Sequence, residues 1–290
     1  WYYYKGFLPD LYSLHWIYIY LRYKKRVAKH PKKINRNPFV QYLVYINEGK
    51  KMITVKKLIL LTVSFFTPLI FCETYSYEIE EVESVDVSSG VEFTVWCGAV
   101  NKLDITADSE DDFRMSLKDK KLKIKRKNSN SWLFFSWGRN DVTADITLKN
   151  PPQFIELSAG SEGEMENCFK KEADLSLSVS SGSSFVIDEG SGSINELEVN
   201  MSSGSEIEIE EKLHINHLRL KASSGSDFEA DDEVIIETSE VRVSSGASVE
   251  ICGALEVSGK VSSGGSIEVA ENTIRTGIRT SSGGRLDADC

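Results

Sequence analysis

One short phrase recurs along the chain, most regularly in its second half, and limits what it can fold into. A glycine preceded by Ser-Ser or Ser-Ala stands at Gly90, Gly160, Gly182, Gly204, Gly225, Gly246, Gly264 and Gly283. From Gly160 onward the intervals are 22, 22, 21, 21, 18 and 19 residues. A fixed period of about 20 residues is the mark of a stacked repeat, in which no unit can bury its apolar face alone.

The text around each glycine alternates apolar and polar residues on both sides, as in "LEVNMSSGSEIEIEE" and "LRLKASSGSDFEADD". Period two is the strand signal. Carried through the glycine, the parity places Val199, Met201, Ser203, Ser205, Ile207 and Ile209 on one face. The chain is therefore expected to be all-β, a right-handed parallel β-helix with about 20 residues per coil. The regular coils at 155–290 would stack over about 35 Å. Ser-Ser-Gly reads as its corner, where glycine takes a positive φ without steric cost. The second serines and their equivalents (Ser89, Ala159, Ser181, Ser203, Ser224, Ser245, Ser263, Ser282) are expected to point inward, small because two walls converge there.

The region before Gly160 is less regular. "KLDITAD" reads as a strand, "FRMSLKDKKLKIKRK" as a hairpin turning across Lys118–Lys121, and Pro151-Pro152 as a break. It is expected to cap the stack, which an open solenoid end needs.

Charge divides the chain. Residues 1–72 hold 13 Lys/Arg against 2 Asp/Glu, and residues 73–290 hold 21 against 42. The first methionine is Met52; Lys56 and Lys57 precede an apolar run of 14 residues, Leu58 to Phe71. That run suits a signal peptide and falls short of the roughly 20 residues of a spanning helix. The expected organisation is 1–51 as sequence upstream of the true start, 52–76 as signal peptide and 77–290 as the exported domain, with no membrane span in the mature chain. Lipidation at Cys72 is disfavoured by the bulky Phe71 before it. Export implies an oxidising compartment, either the periplasm or the outer surface of a Gram-negative-type bacterium. Cys97, Cys168, Cys252 and Cys290 allow three pairings, and the spacing selects none of them. A chain of this size can build its core without disulfides, so no required framework is expected.

The order "VESVDVSSGVEFTVWCG", then Lys120–Ile124, then repeated Ser-Gly corners to the end resembles the bacterial auto-transporter adhesin "head GIN" family over about residues 82–290. The resemblance implies an envelope-associated, pectin-lyase-like β-helix with a role in adhesion and no established catalytic residues. This chain writes Ser-Ser-Gly where many members write Ser-Gly-Gly.

Little here supports catalysis. A nucleophilic serine needs a base and an orienting partner. The exported part holds only His214 and His217, which read as solvated histidines in a turn between strands. A strand follows every Gly/Ser corner, whereas phosphate cradles usually precede a helix. The informative feature is charge. Glu208, Glu229, Glu250, Glu268 and Asp287 each follow a corner glycine by four residues, and Lys221, Arg242, Lys260 and Arg279 each precede one by four. Stacking would turn these into an acidic and a basic column. The acidic column reads as a solubilising surface, with calcium coordination or docking of a cationic partner as the sharper alternatives. Trp132, Phe134, Phe135 and Trp137 bunch in a polar segment and read as a cover for the stack or as a contact for a glycan or surface protein. Nucleic acid is disfavoured by the acidic balance. The functional expectation is an exported, non-catalytic binding module; the rivals are a polysaccharide-active enzyme of the pectin-lyase type and a purely structural envelope scaffold.

Overall fold

The computed structural model describes residues 73–127, 141–189 and 191–290. The chain divides into two units, Trp1–Pro68 and Leu69–Cys290, and every described residue belongs to the second. The aromatic segment with Trp132, Phe134, Phe135 and Trp137 lies outside the described residues, as do residues 1–72 with the signal-peptide reading.

Strands follow in chain order as β1 (Glu73–Glu78), β2 (Ser84–Ser88), β3 (Glu92–Cys97), β4 (Lys102–Ala107), β5 (Phe113–Lys118), β6 (Lys121–Arg126), β7 (Thr143–Leu148), β8 (Phe154–Ser158) and β9 (Glu162–Glu166). The regular coils hold β10 (Ala173–Ser180), β11 (Ser184–Asp188), β12 (Gly192–Ser202), β13 (Glu206–Glu210), β14 (Leu213–Ala222), β15 (Asp227–Ala230), β16 (Ile235–Val243), β17 (Ser248–Ile251), β18 (Ala254–Val261) and β19 (Ser266–Glu268). β20 (Ile274–Arg275), β21 (Arg279–Thr280) and β22 (Arg285–Asp287) complete the stack.

The result is a β-solenoid of about 6 turns with roughly 21 residues per turn. Each regular coil has two walls: a long strand, the corner, then a short strand and a return turn. The long strands form one sheet, β20-β18-β16-β14-β12-β10-β8-β2-β6-β5, and the short ones the other, β1-β4-β7-β3-β9-β11-β13-β15-β17-β19-β22. Between them lies one continuous apolar core that buries the inward residues of the regular coils, while Ile278, Leu286 and Ala288 of the last coil are only partly buried against it. One column runs Phe93, Gly163, Phe185, Ile207, Phe228, Val249 and Ile267, each paired in register with the next.

Stacking order departs from chain order at the N-terminal end. The coil β2–β3 is clamped between two later ones. Val85 pairs with Ile155 of β8 on one side and with Leu122 of β6 on the other, while Phe93 pairs with Gly163 of β9 and Ala144 of β7. Between β6 and β7 the sequence carries no Ser-Ser-Gly. Antiparallel strands then close this end: β5 on β6, β4 on β7 and β1 on β4. Such a hairpin cap removes bare parallel edges that would template further pairing. The expected turn between β5 and β6 is present, with Asp119 and Lys120 both at positive φ.

The corners correct one expectation. The second residue of each motif does not point inward: Ala159, Ser181, Ser203, Ser224, Ser245, Ser263 and Ser282 are exposed. These residues and the glycines after them both adopt positive φ, 59° and 70° at Ser181-Gly182 for example. Two left-handed residues in succession are the signature of a type I′ turn, here closed by Ser183 N–H donating to Ser180 C=O at 3.3 Å. Parity skips a step there, and the small inward residue is the one after the glycine: Ser161, Ser183, Ser205, Ser226, Ala247 and Gly265 are all buried. The corners also ladder with one another. Gly160, Gly182, Gly204, Gly225, Gly246 and Gly264 each donate N–H to the carbonyl of the left-handed residue in the next coil, at 3.0–3.3 Å for the pairs from Gly182–Ser203 to Gly264–Ser282. The bend therefore leaves no backbone donor orphaned at that position.

Candidate functional site

Register turns the two charge columns read from sequence into real ladders. On the outer face of the short-strand sheet Glu208 pairs with Glu229, Glu229 with Glu250, Glu250 with Glu268, and Glu268 with Asp287. Neighbouring outward positions on β9 and β13 are acidic too, with Glu162, Glu164, Glu206 and Glu210. Partial burial raises the pKa of Glu250, and the charges of Glu229, Glu268, Asp232 and Asp227 push it the same way. Glu92, farther along this face, is raised by burial and by Glu162, Asp141, Glu164 and Asp145. The face thus concentrates negative potential that attracts cations.

Of the residues that could hold a metal, Glu250, Cys252 and Cys290 lie together, but the two sulfurs are joined as a disulfide and offer no thiolate. What remains is carboxylates on a flat ladder, whose oxygen donors suit hard cations such as calcium.

On the opposite face, the long-strand sheet carries the basic ladder. Lys221 pairs with Arg242, Arg242 with Lys260, and Lys260 with Arg279. The first two have carboxylates nearby, Lys221 Nζ at 3.8 Å from Glu198 and Arg242 at 2.6 Å from Glu240. A shallow groove of about 370 Å³ runs beside this ladder, lined among others by Asn200, Ser202, Lys221, Ser223, Arg242 and Ser244.

His214 and His217 are not in a turn. Both lie on β14, whose strand begins at Leu213, because the return bend falls one residue earlier, at Glu211-Lys212. His214 Nε2 sits 2.8 Å from Glu237 Oε1, and His217 Nδ1 2.8 Å from Thr238 Oγ1. Thr238 donates its hydroxyl proton to Asn216 C=O. Thr238 Oγ1 therefore stands between His217 Nδ1 and Asn216 C=O, and its single proton serves one of the two contacts.

The cysteines form two disulfides, Cys97–Cys168 and Cys252–Cys290, one of the three pairings that the sequence left open. The first ties the end of β3 to the loop after the neighbouring β9. The second ties the β17–β18 turn to Cys290 beyond β22. Beneath the first, Glu189 is only 1% exposed and accepts hydrogen bonds from the backbone N–H groups of Cys168 and Phe169. Burial raises its pKa, and those two hydrogen bonds oppose the rise. Sequence reasoning missed this carboxylate, which has no spacing signal. It also missed a cleft of about 1080 Å³ in the cap, lined among others by Tyr75, Tyr77, Phe113, Arg114, Lys123 and Lys125.

The described residues thus form a two-walled β-solenoid with long charge ladders on both faces. The family model described as "Putative auto-transporter adhesin, head GIN domain" matches residues 82–273, and the chain belongs to that family. Among solved structures, a "putative adhesin" from Bacteroides fragilis matches with a TM-score of 0.63 at 13% identity, covering 76% of this chain and 97% of that one. A "putative adhesin" from Parabacteroides distasonis matches at TM-score 0.58 and 12% identity, covering 76% and 94%. A "putative lipid binding protein" from the same species matches at 0.53 and 12%, covering 76% and 97%. At these identities the likeness is one of fold. No curated protein matches the chain. Among the described residues no helix is long and apolar enough to cross a membrane.

Proposed function

We propose that the protein is an exported, non-catalytic binding module of the adhesion type, working at the bacterial cell envelope and recognising a glycan or surface protein. The observation that carries this reading is the pair of in-register charge ladders on opposite faces of uniform coils. Repeated like-charged groups at a fixed spacing suit a repetitive or extended target, and coils this uniform from β10 onward leave little to wall a catalytic groove. Family membership points the same way. Export rests on the Met52–Phe71 pattern of two lysines and an apolar run. Calcium, if bound, would sit on the acidic ladder.

The test is binding of the purified protein to a glycan and matrix-protein array, with and without calcium, beside a charge-matched acidic control. Specific binding above the control is expected. Loss on Trp132→Ala with Trp137→Ala would assign it to the aromatic segment, and dependence on calcium would assign it to the acidic ladder. No binding above the control, or ordered cleavage of a uronic-acid polymer, would overturn the reading.

A further inference from the structure

We propose that the cationic ladder Lys221–Arg242–Lys260–Arg279 is a track for a linear acidic polysaccharide lying along the solenoid axis. This rests on the binding reading above and names its ligand class. Parallel register places the four residues on successive coils. Neighbouring strands lie about 4.8 Å apart, so the row spans about 15 Å. A polymer with one carboxylate on each sugar presents anions at a comparable spacing.

Lys260 and Arg279 make no ion pair among the described residues. Lys221 and Arg242 share their charge with Glu198 and Glu240. The track is therefore strongest at its last two rungs. Hydroxyl and amide groups flank the lower rungs: Asn200, Ser202, Ser223 and Ser244 line the groove beside Lys221 and Arg242. Sugar hydroxyls need partners of that kind beside the charge.

Shape decides between occupants. Glu198 and Glu240 lie in the column immediately beside the ladder, with Arg219 between them in register and itself paired with Glu196. A broad anionic surface, such as the acidic face of a second copy, would meet these carboxylates. A single strand of polymer can follow the cationic column and avoid them. The acidic ladder of the other sheet points away from the core, beyond the about 10 Å that separates two packed sheets and so beyond the ~8 Å screening length at physiological salt. Single-stranded nucleic acid is served by aromatic platforms for its bases, and the outward positions of β12, β14, β16 and β18 hold no Phe, Tyr or Trp.

The test titrates the full purified protein with polygalacturonate in EDTA, against neutral dextran and a single-stranded oligonucleotide of matched charge. Polygalacturonate is expected to bind alone among the three, more weakly as salt rises. Lys260→Gln with Arg279→Gln should weaken it roughly tenfold and flatten the salt dependence. Glu240→Gln should tighten it by freeing Arg242. Equal binding of dextran or of the oligonucleotide would overturn the proposal, as would unchanged affinity in the double variant. Low-salt oligomerisation that the double variant abolishes would also overturn it, by assigning the ladder to a second copy. Array targets bound as before, with polygalacturonate ignored, would sink this inference and leave the adhesion reading standing.

Discussion

The ring centroids of Phe93 and Phe185 lie 6.1 Å apart although their strands are not neighbours. Gly163 on the strand between them has no side chain, so the two rings meet across it. An ideal Cβ on Gly163 would lie 2.5 Å from Phe93 Cε1 and 2.7 Å from Phe185 Cδ2. Close-packed interiors do not absorb such overlap. Gly163→Ala is expected to destabilise by about 1–3 kcal/mol, read as a lower urea midpoint at unchanged slope. Phe185→Ala, which opens a cavity, should cost about 3–5 kcal/mol.

Corner glycines act through a different cause. A Cβ on Gly182, Gly204 or Gly225 would meet nothing within 4 Å, yet each has φ near +70°. Alanine there should cost about 1–2 kcal/mol through the left-handed conformation alone. Asparagine, which visits that region more readily, should recover part of the loss in the same urea titration.

The buried residue after each corner glycine gives an opposite sign. Ser161 Oγ donates to Ser158 C=O, and Ser205 Oγ accepts from Ser202 N–H. Ser226 Oγ is buried with no hydrogen-bond partner. The next coil already places Ala247 at the equivalent position. Ser226→Ala should therefore stabilise by about 1 kcal/mol, whereas Ser161→Ala should destabilise. A thermal melt of both variants separates the two signs.

How much of this was legible follows from what is periodic. The coil length, the strands, the corner glycines and both charge ladders recur every 18–22 residues, and stacking then puts equals beside equals. The inner column at the corner was misplaced by one residue because two left-handed residues in succession, Ser203 and Gly204 for example, break the period-two parity that sequence alone extends. His214 and His217 looked like turn residues because the return bend carries no glycine. The interleaving of β2–β3 between β6–β7 and β8–β9 arises from a segment without repeats, so nothing in the sequence announced it. The disulfides were open for a related reason: Cys97 and Cys168 are 71 residues apart in sequence but lie on adjacent coils.

Those disulfides close loops of 71 and 38 residues. In the chain-entropy account each restricts the unfolded state by about 4 kcal/mol. Reduction is expected to lower the melting temperature while leaving the strand signal in circular dichroism intact at room temperature. Cys252→Ser with Cys290→Ser should reproduce part of the fall, with hydrogen exchange accelerating first in β19 and β22. Loss of all strand signal on reduction would show that the apolar core cannot hold the coils unaided.

The acidic ladder predicts a pH dependence. Burial and four neighbouring carboxylates raise the pKa of Glu250 in the folded state. A carboxyl raised on folding binds more protons folded than unfolded between its two pKa values, so stability falls as pH rises through that window. Above the folded value the penalty is complete. The wild-type contribution of this group should thus be flat near neutrality and stabilise as pH drops through the raised pKa toward the ordinary carboxylate value, and added salt should mimic part of the gain by screening. Glu250→Gln should be more stable at neutral pH and show a flatter profile. An equally steep profile in the variant would place the pH dependence elsewhere on the face, with Glu92 the next residue to neutralise.

Glu189 differs from the ladder carboxylates because its burial serves a purpose. Its side chain accepts from the N–H groups of Cys168 and Phe169, which turn the chain between β9 and β10 with no strand partner of their own. Glu189→Ala would leave two buried donors unpaired, and one such group costs about 1–3 kcal/mol. The loop also carries the Cys97–Cys168 bond and the fully buried Phe169, so its loosening should expose both. The expected result is a melting temperature well below wild type and faster reduction of Cys97–Cys168 than of Cys252–Cys290. Glu189→Gln keeps one acceptor oxygen and removes a charge that burial disfavours. It should fall between the two and lose the part of the wild-type pH dependence due to this group. Equal stability of the alanine and glutamine variants would mean that the carboxylate fills space and the loop is held by Phe169 alone.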